Sequence, residues 1–346
     1  MDDFTAILSS GRDMNATEAS AAAAALLDES IPEDSRVNFL RSLSAKGESA
    51  VEIEAFVRVF LDHAVDPHIE ETRLPGPMLD IVGTGGDRLN LFNVSTTAMF
   101  VLAGGGVCVV KHGNRAITSK SGGADVLEAL GVRIDLPPQR LAEVLSSVGL
   151  GFLFAPLYHP AFKAVVSVRK RLAAEGVRTI FNLLGPLLNP VRPPQQLIGV
   201  AEPSLGPVFA RQMELLGRRR AWVVHGRTQC DRGMDEMSIL GPTETWQWDG
   251  KQIHEATLYP WTYSLDSCTL EELQGADAAA NAAITVGILD GTLRDARRRM
   301  VAYNAAAGFV VAGSCRTLEA GLALARESID SGAAFAKLNA LAAIRE

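Results

Sequence analysis

LDIVGTGGD, residues 79–87, is the first of four sequence blocks that organise the chain. The others are LFNVST at 91–96, KHGNR at 111–115 and SKSGGADVLEALG at 119–131. Met78–Val82 is a short apolar run, long enough for a buried strand and too short for a helix. The glycines at 83, 85 and 86 permit positive φ and leave backbone N–H groups open to an anion. The first block therefore predicts a strand that ends in an anion-binding turn.

Two further features point to the same edge of the predicted sheet. Ser95 and Thr96 predict the start of a helix, whose N-terminus offers unpaired N–H groups and the positive end of its dipole. A second apolar run, Val107–Val110, predicts a strand that delivers Lys111 and His112 to the same side. A glycine turn, a helix N-terminus and a lysine thus converge. Together they predict a site for phosphate or pyrophosphate.

The glycine turn matches neither of two common nucleotide-binding patterns. It lacks the G-x-G-x-x-G spacing of the dinucleotide-binding fold, and no Gly-Lys-Ser/Thr follows as in a P-loop. The four blocks in this order resemble the anthranilate phosphoribosyltransferase family, whose blocks GTGGD, N-x-S-T, KHGNR and SGGAD-x-LEALG all stand here. The resemblance runs from about Ala6 to the C-terminus. It implies transfer of the phosphoribosyl group of 5-phosphoribosyl 1-diphosphate (PRPP) to the amine of anthranilate, a step of tryptophan biosynthesis.

Strands alternate with helices along most of the chain, which predicts an α/β fold with a mainly parallel central sheet flanked by helices. Residues 1–68 instead indicate a small helical domain, in which Asp34 or Ser35 is expected to cap one helix and Ser49 begins a capping box. We expect helices from about 161–185 to join this domain. Residues 78–346 are expected to form the PRPP-binding catalytic domain, with little strand in the C-terminal third. The resemblance implies a fold of the nucleoside phosphorylase and phosphoribosyltransferase type.

Composition indicates an ordinary globular protein and limits the classes of partner that we expect it to bind. The chain has 346 residues, 47% of them hydrophobic, and a formal net charge of −7, which argues against a general nucleic-acid binder. No apolar run approaches the ~20 residues of a membrane span, and the N-terminus lacks a signal pattern. The four cysteines are widely spaced and suggest no disulfide framework. We therefore expect a cytoplasmic protein with reduced thiols, no nucleic-acid partner and no membrane partner.

The resemblance assigns most of the four blocks to PRPP. Transfer through a transition state that resembles an oxocarbenium ion needs no protein nucleophile, so the protein must neutralise the leaving pyrophosphate and hold the sugar. Lys111, Asp235 and Glu236 are expected to stabilise the transition state. Leu91 departs from the hydroxyl residue that many family members carry. The residues expected to contact PRPP are Gly83, Thr84, Gly85, Gly86, Asp87, Leu91, Asn93, Val94, Ser95, Thr96, Lys111, His112, Gly113, Asn114, Arg115, Ser119 and Gly123.

An acidic pair, Asp235-Glu236, supplies the expected metal site. Mg²⁺ is held by a few carboxylates together with phosphate oxygens and waters, although an Asp-Glu pair in a loop is by itself commonplace. The family carries its pair in a GLDE context, matched here by GMDE at 233–236. The resemblance implies two Mg²⁺ ions, held by Ser95, Asp235 and Glu236. The inserted segment Thr228–Arg232 lengthens the loop before the pair.

The anthranilate side of the site is expected to use an arginine, an amide and a histidine. A guanidinium suits the carboxylate of anthranilate, an amide can orient its amine, and a glycine lets the flat ring approach. The resemblance matches Gly83, Asn114 and Arg169 to the family's anthranilate contacts, and His159 is a further candidate. His159 and Arg169 are ten residues apart, so on one helix they would face similar directions about three turns apart.

Two other functions remain open from the sequence. A pyrimidine nucleoside phosphorylase-like enzyme would share the architecture, but its lysine motif differs from the KHGNR found here. A non-catalytic nucleic-acid-binding relative would rely on the basic clusters Arg218–Arg220 and Arg297–Arg299, which solvated helix faces explain equally well. The apolar helices of residues 1–68 predict a homodimer joined through the helical domain, as the resemblance also implies.

Overall fold

The computed structural model describes residues 1–116 and 120–345. The chain divides into two compact units. The helical unit comprises Met1–Asp66 and Ala155–Arg192, and the α/β unit comprises Pro67–Phe154 and Pro193–Glu346. The second segment of the helical unit is thus longer than the expected 161–185.

Four helices open the chain, namely α1 (Asp2–Ser9), α2 (Ala16–Leu26), α3 (Glu33–Lys46) and α4 (Ala50–Asp62). As predicted, Ser49 and Glu52 form a capping box at the start of α4. The Ser49 hydroxyl accepts from the Glu52 N–H at 3.3 Å, and the Glu52 carboxylate accepts from the Ser49 N–H at 2.8 Å. The predicted cap of α3 by Asp34 or Ser35 is wrong, because α3 already begins at Glu33, after Pro32.

The α/β unit then alternates strands and helices, interrupted by the return to the helical unit. The first segment contains β1 (Met78–Gly83), α5 (Val94–Gly104), β2 (Cys108–Gly113), α6 (Gly123–Ala129), α7 (Pro138–Val148) and β3 (Leu150–Phe154). The return contains α8 (Ala155–Tyr158), α9 (Val166–Ala174) and α10 (Phe181–Leu184). The second segment contains β4 (Gln195–Gly199), α11 (Leu205–Leu215), β5 (Arg220–Arg227), β6 (Gly233–Met234), β7 (Thr243–Trp248) and β8 (Ile253–Leu258). It closes with α12 (Ala278–Leu289), α13 (Ala296–Ala312), α14 (Leu318–Asp330) and α15 (Ala333–Ala342).

The sheet has the strand order β3-β2-β1-β4-β5-β7-β8, with β6 paired to β5. The five strands β3, β2, β1, β4 and β5 are parallel, and β1 lies in the middle of these five, with Leu79 opposite Val109 of β2 and Gln195 of β4. The predicted fold class is confirmed. Because the carboxyl ends of parallel strands meet at one edge, the ends of β1, β2, β4 and β5 lie along the same edge of the sheet.

The expectation of little strand in the C-terminal third is wrong for β7 and β8. These strands pair antiparallel with each other, and β7 pairs with β5. The four central residues of β8 are exposed, because this strand lies at the edge of the sheet. An exposed edge strand lacks the apolar alternation by which a half-buried strand is recognised.

The core of the α/β unit lies between the sheet and its helices. α5 is buried from Thr96 to Ala103, and α13 is buried from Met300 to Ala312. α13 packs against α5 and against strands β1, β4 and β5. Among the described residues, no helix combines the length and the apolar composition needed to cross a membrane.

Candidate active site

The predicted glycine turn follows β1 at the carboxyl edge of the sheet. Gly85 and Gly86 have φ of +69° and +89°, as a tight glycine turn requires. Arg88 and Asn90 also have positive φ, of 55° and 54°. A side chain held there costs about 1–2 kcal/mol relative to ordinary backbone. Such strained segments concentrate at functional sites, where the surrounding structure keeps them in place.

Three glycines at strand ends make room for the acidic pair. A Cβ on Gly83 would lie 2.2 Å from Oδ2 of Asp235, and one on Gly199 would lie 1.7 Å from the Asp235 carbonyl oxygen. A Cβ on Gly226 would lie 2.4 Å from the carbonyl oxygen of Glu236. All three distances are shorter than the contacts that real Cβ atoms make. The sequence did not reveal that Gly199 and Gly226 make room for the acidic pair, since their neighbours come from a distant segment.

The two carboxylates of the acidic pair accept hydrogen bonds from backbone N–H groups that the sequence predicts to bind an anion. Oδ2 of Asp235 accepts from the Gly85 N–H at 2.7 Å. Oε1 of Glu236 accepts from the Ser95 N–H at 3.1 Å, in the first turn of α5. The carboxyl group of Asp87 lies close enough to that of Asp235 for the two to interact. The structure therefore brings together the glycine turn, the helix N-terminus and the acidic pair, which the sequence shows only as separate motifs.

Burial and mutual repulsion disfavour the charged forms of these acids. Burial raises the pKa of Asp235 to about 7, and the nearby carboxylate of Asp87 adds to the effect. Burial also raises the pKa of Glu236, with a further contribution from Asp235, while the positive charge of Lys111 opposes the shift. Three acidic groups are thus crowded where a bound cation would relieve their repulsion.

The donor set fits a hard cation that also binds substrate oxygens. In the part of the chain that the structure describes, no group of three or more His, Cys, Asp or Glu side chains is arranged to hold a metal ion. Mg²⁺ is commonly bound through one or two carboxylates and takes its other ligands from water and phosphate. The crowded carboxylates of Asp235 and Glu236, beside the hydroxyl-bearing Ser95, match that requirement.

Lys111 is a buried residue of β2 and not an exposed point charge. Its Nζ donates to the carbonyl oxygen of Ile81 at 2.5 Å and to the Ser95 hydroxyl at 3.2 Å. Burial lowers the pKa of Lys111, whereas Asp80 and Glu236 favour its charged form. Lys111 therefore joins β1 to the first turn of α5. Its positive charge offsets part of the negative charge of Asp235 and Glu236.

The first turn of α5 is held by an asparagine pair. Asn93 precedes the helix, and its side chain forms no cap. Instead, its Oδ1 accepts from Nδ2 of Asn281 at 2.8 Å, and its Nδ2 donates to the Ser121 carbonyl oxygen at 3.3 Å. The side chains of Val94 and Thr96 are buried in the core, so these two residues present only backbone groups. Asn281 is a further residue that sequence patterns did not single out.

The KHGNR block runs from β2 into an exposed turn. His112 is buried within the strand, whereas Asn114 is exposed, and Oδ1 of Asn114 accepts from the Arg115 N–H at 2.8 Å. Arg115 forms two hydrogen bonds to the Glu128 carboxylate, at 3.1 and 2.8 Å. Its guanidinium also lies 4.7 Å from the ring centre of Phe154. Arg115 is thus already paired within the α/β unit.

Several other residues predicted to contact PRPP are tied into the α/β unit. The Thr84 N–H donates to the Gly199 carbonyl oxygen at 2.9 Å, which ties the glycine turn to β4. Leu91 packs against the core and forms a single β-bridge. Gly123 is the first residue of α6. Ser119 lies outside the described residues.

Two of the predicted anthranilate contacts lie in the helical unit. The arrangement of His159 and Arg169 on one helix is wrong, because a 3₁₀ segment occupies 160–165 and α9 begins at Val166. Nε2 of His159 lies 2.9 Å from the Leu188 carbonyl oxygen, and burial lowers the pKa of His159.

Arg169 is a half-buried residue of α9. Its guanidinium lies 4.8 Å from the ring centre of Phe181, and burial lowers its pKa. Among the described residues of the helical unit, no carboxylate pairs with it. The other two predicted anthranilate contacts, Gly83 and Asn114, lie in the α/β unit.

Comparison with known proteins identifies the family. The profile described as "Glycosyl transferase family, a/b domain" matches residues 75–335. The anthranilate phosphoribosyltransferase of Moorella thermoacetica is 46% identical over 305 residues, which are 88% of this chain and 86% of the relative. The chain belongs to the anthranilate phosphoribosyltransferase family.

Solved structures of the family agree with this assignment. The Thermus thermophilus anthranilate phosphoribosyltransferase matches with a TM-score of 0.89 and 39% identity, over 99% of this chain and 98% of that chain. The Saccharomyces cerevisiae anthranilate phosphoribosyltransferase, solved in complex with PRPP and Mg, matches with a TM-score of 0.87 and 28% identity, over 98% and 96%. The resemblance and the assignment to the glycosyltransferases are confirmed. Neither the phosphorylase-like nor the nucleic-acid-binding alternative is favoured.

Proposed function

We propose that the chain transfers the phosphoribosyl group of PRPP to the amine of anthranilate, giving N-(5-phosphoribosyl)anthranilate and pyrophosphate, in tryptophan biosynthesis. The observation that carries the proposal is the acidic pair held against the glycine turn and the N-terminus of α5. Asp235 accepts from Gly85, and Glu236 accepts from Ser95. An enzyme that uses PRPP needs anion donors and cation ligands in one place, and this site combines them.

The chain's own residues bind and orient PRPP, and none of them forms a covalent intermediate. The amine nitrogen bonds to the anomeric carbon as the bond from that carbon to pyrophosphate oxygen breaks, and the amine then loses a proton. The backbone N–H groups of Gly85, Gly86 and Ser95 bind phosphate oxygens. Lys111 holds Ser95 in place through its hydroxyl. Asn281 holds the side chain of Asn93, the residue that precedes α5.

Asp235 and Glu236 would hold Mg²⁺, which supplies charge neutralisation for the leaving pyrophosphate. The yeast relative that was solved with PRPP and Mg supports both ligands. The finer proposal of two ions, with Ser95 as a further ligand, rests on the family resemblance.

For the acceptor, we propose that Arg169 binds the carboxylate of anthranilate. A guanidinium that is half-buried, stacked on Phe181 and unpaired with any described carboxylate of its unit suits a planar carboxylate ligand. The assignments of Gly83, Asn114 and His159 to anthranilate stay predictions.

The direct test mixes purified protein with PRPP, Mg²⁺ and anthranilate and follows the loss of anthranilate fluorescence. Consumption of anthranilate should require the protein, PRPP and Mg²⁺, and it should stop when a chelator removes the metal. Parallel reactions with a pyrimidine nucleoside and phosphate test the phosphorylase alternative. Folded protein that consumes the nucleoside and leaves anthranilate untouched would contradict the proposal.

We also propose that the protein works in the cytoplasm as a homodimer joined through the helical unit. All four cysteines are free thiols, which suits a reducing compartment. Three of the exposed large apolar side chains lie in the helical unit, namely Val51, Leu157 and Val166. Sedimentation at micromolar concentration should show a dimer, and replacing these three residues by serine should yield monomers. A monomer in the unmodified protein would count against the proposal.

A further inference from the structure

Asn304 connects the core of the α/β unit to the acidic pair. It lies in the middle of α13, and only 1% of it is exposed. Its Oδ1 accepts from the Met237 N–H at 2.8 Å, and its Nδ2 donates to the Met237 carbonyl oxygen at 3.0 Å. The same Nδ2 donates to the Met300 carbonyl oxygen, also at 3.0 Å. One buried amide thus satisfies both backbone polar groups of Met237.

Met237 directly follows Glu236, so this amide clamp acts one residue away from the acidic pair. Because both backbone groups of Met237 are held, neither adjoining peptide plane can rotate without leaving a buried polar group unpaired. The Met237 side chain is itself fully buried. The chain is therefore fixed immediately after the pair, while the strand-end glycines limit its movement on the other side.

The helix that carries Asn304 also supports the anion-binding side of the site. α13 packs against α5, whose first turn holds Ser95, and against β1 and β4, which end at Gly83 and Gly199. A side chain anchored in α13 therefore sets the position of the acidic pair relative to these donors.

We propose that Asn304 is a positioning residue for the metal-binding carboxylates of Asp235 and Glu236. The inference rests on the proposed function, in which this pair holds Mg²⁺. Asn304 acts through the backbone of Met237. Loss of a group that orients metal ligands typically lowers metal affinity about 10- to 100-fold.

Two variants and one matched control test the inference. Asn304→Ala removes all three hydrogen bonds, and Asn304→Asp keeps the shape and the acceptor for the Met237 N–H but replaces the donor by oxygen. The control is Ser328→Ala, because Ser328 is also buried and donates to the Val101 carbonyl oxygen at 2.7 Å, without contact to the acidic segment.

Three measurements are made on each protein. The first is Mn²⁺ binding in the presence of pyrophosphate, followed through the electron paramagnetic resonance spectrum of free Mn²⁺. The second is the Mg²⁺ dependence of anthranilate consumption, and the third is thermal unfolding without metal. We expect both Asn304 variants to raise the Kd for Mn²⁺ about tenfold or more. The Mg²⁺ needed for half-maximal turnover should rise in parallel, high Mg²⁺ should restore most of kcat, and KM for anthranilate should stay unchanged.

The control and the unmodified protein separate the possible failures. Folded Asn304 variants with unchanged Mn²⁺ affinity would overturn the inference, as would an equal loss of affinity in Ser328→Ala. Loss of the fold in both Asn304 variants would also overturn it, because the role of Asn304 would then be purely structural. An unmodified protein that neither binds Mn²⁺ with pyrophosphate nor consumes anthranilate would instead overturn the proposed function.

Discussion

Replacing Gly199 by alanine tests whether space for the acidic segment controls catalysis. The new Cβ would lie 1.7 Å from the Asp235 carbonyl oxygen, and real Cβ contacts essentially never fall below 3.0 Å. Gly199 is held between β1 and β5, so the acidic segment must move by at least the difference, which is 1.3 Å. A misplacement of about 1 Å in a catalytic site can reduce the rate about 100-fold. Overpacking of this kind also costs about 1–3 kcal/mol of stability.

The assay is two-substrate kinetics at several Mg²⁺ concentrations, with urea unfolding as the check on the fold. We expect kcat of Gly199→Ala to fall about 100-fold and its Mg²⁺ requirement to rise, while KM for anthranilate changes little. Gly287→Ala in α12 is the control, because its new Cβ would lie 3.2 Å from the nearest atom, in Leu293. A folded Gly199→Ala variant with unchanged kcat and Mg²⁺ requirement would refute the reasoning.

Three further outcomes are expected. Burial raises the folded pKa of Asp235 to about 7, so metal-free protein should lose stability as pH rises from about 4 to 7. Thermal unfolding of chelator-treated protein should show this decline, and Asp235→Asn, which keeps an acceptor for the Gly85 N–H, should reduce it, while Glu236 with its raised pKa still contributes. Lys111→Met leaves Asp235 and Glu236 without their buried cation and should lower the free energy of unfolding, measured in urea, by about 3–5 kcal/mol. An unchanged urea midpoint would contradict the inference that Lys111 balances the charge of these two acids. Arg169→Ala should raise KM for anthranilate about thirtyfold, equivalent to about 2 kcal/mol of binding free energy. A rise in KM for PRPP alone would show that Arg169 binds PRPP and not anthranilate.

The elements around the anion-binding edge could be predicted because each one has a local signal. An apolar run followed by glycines predicted β1 and its turn, and positive φ at Gly85 and Gly86 bears this out. Ser95 marked the first turn of α5 to within one residue. The assignment of the acidic pair came from the family resemblance, because two adjacent acids carry no distinctive pattern.

Positions whose role depends on tertiary contacts could not be predicted. In the sequence, Gly199 and Gly226 resemble ordinary strand glycines. Only the structure shows that a Cβ at either position would overlap the backbone of the acidic pair. Asn304 lies in an alanine-rich helix and contacts a residue 67 positions away in sequence. The edge strand β8 exposes its central side chains, so no pattern of burial marks it in the sequence.

The hydrogen bonds of the acidic pair also indicate how anion and cation binding are linked. The N–H groups of Gly85 and Ser95 are among the donors that we propose for phosphate oxygens, and in this structure they donate to Asp235 and Glu236. A phosphate oxygen that takes either donor releases a carboxylate, whose charge then faces the arriving anion. Burial already disfavours charge on these groups, as their raised pKa values show, so the exchange is unfavourable unless a cation neutralises the released carboxylates. If Asp235 and Glu236 hold Mg²⁺ as proposed, the same two side chains would couple the binding of pyrophosphate to the binding of a divalent cation.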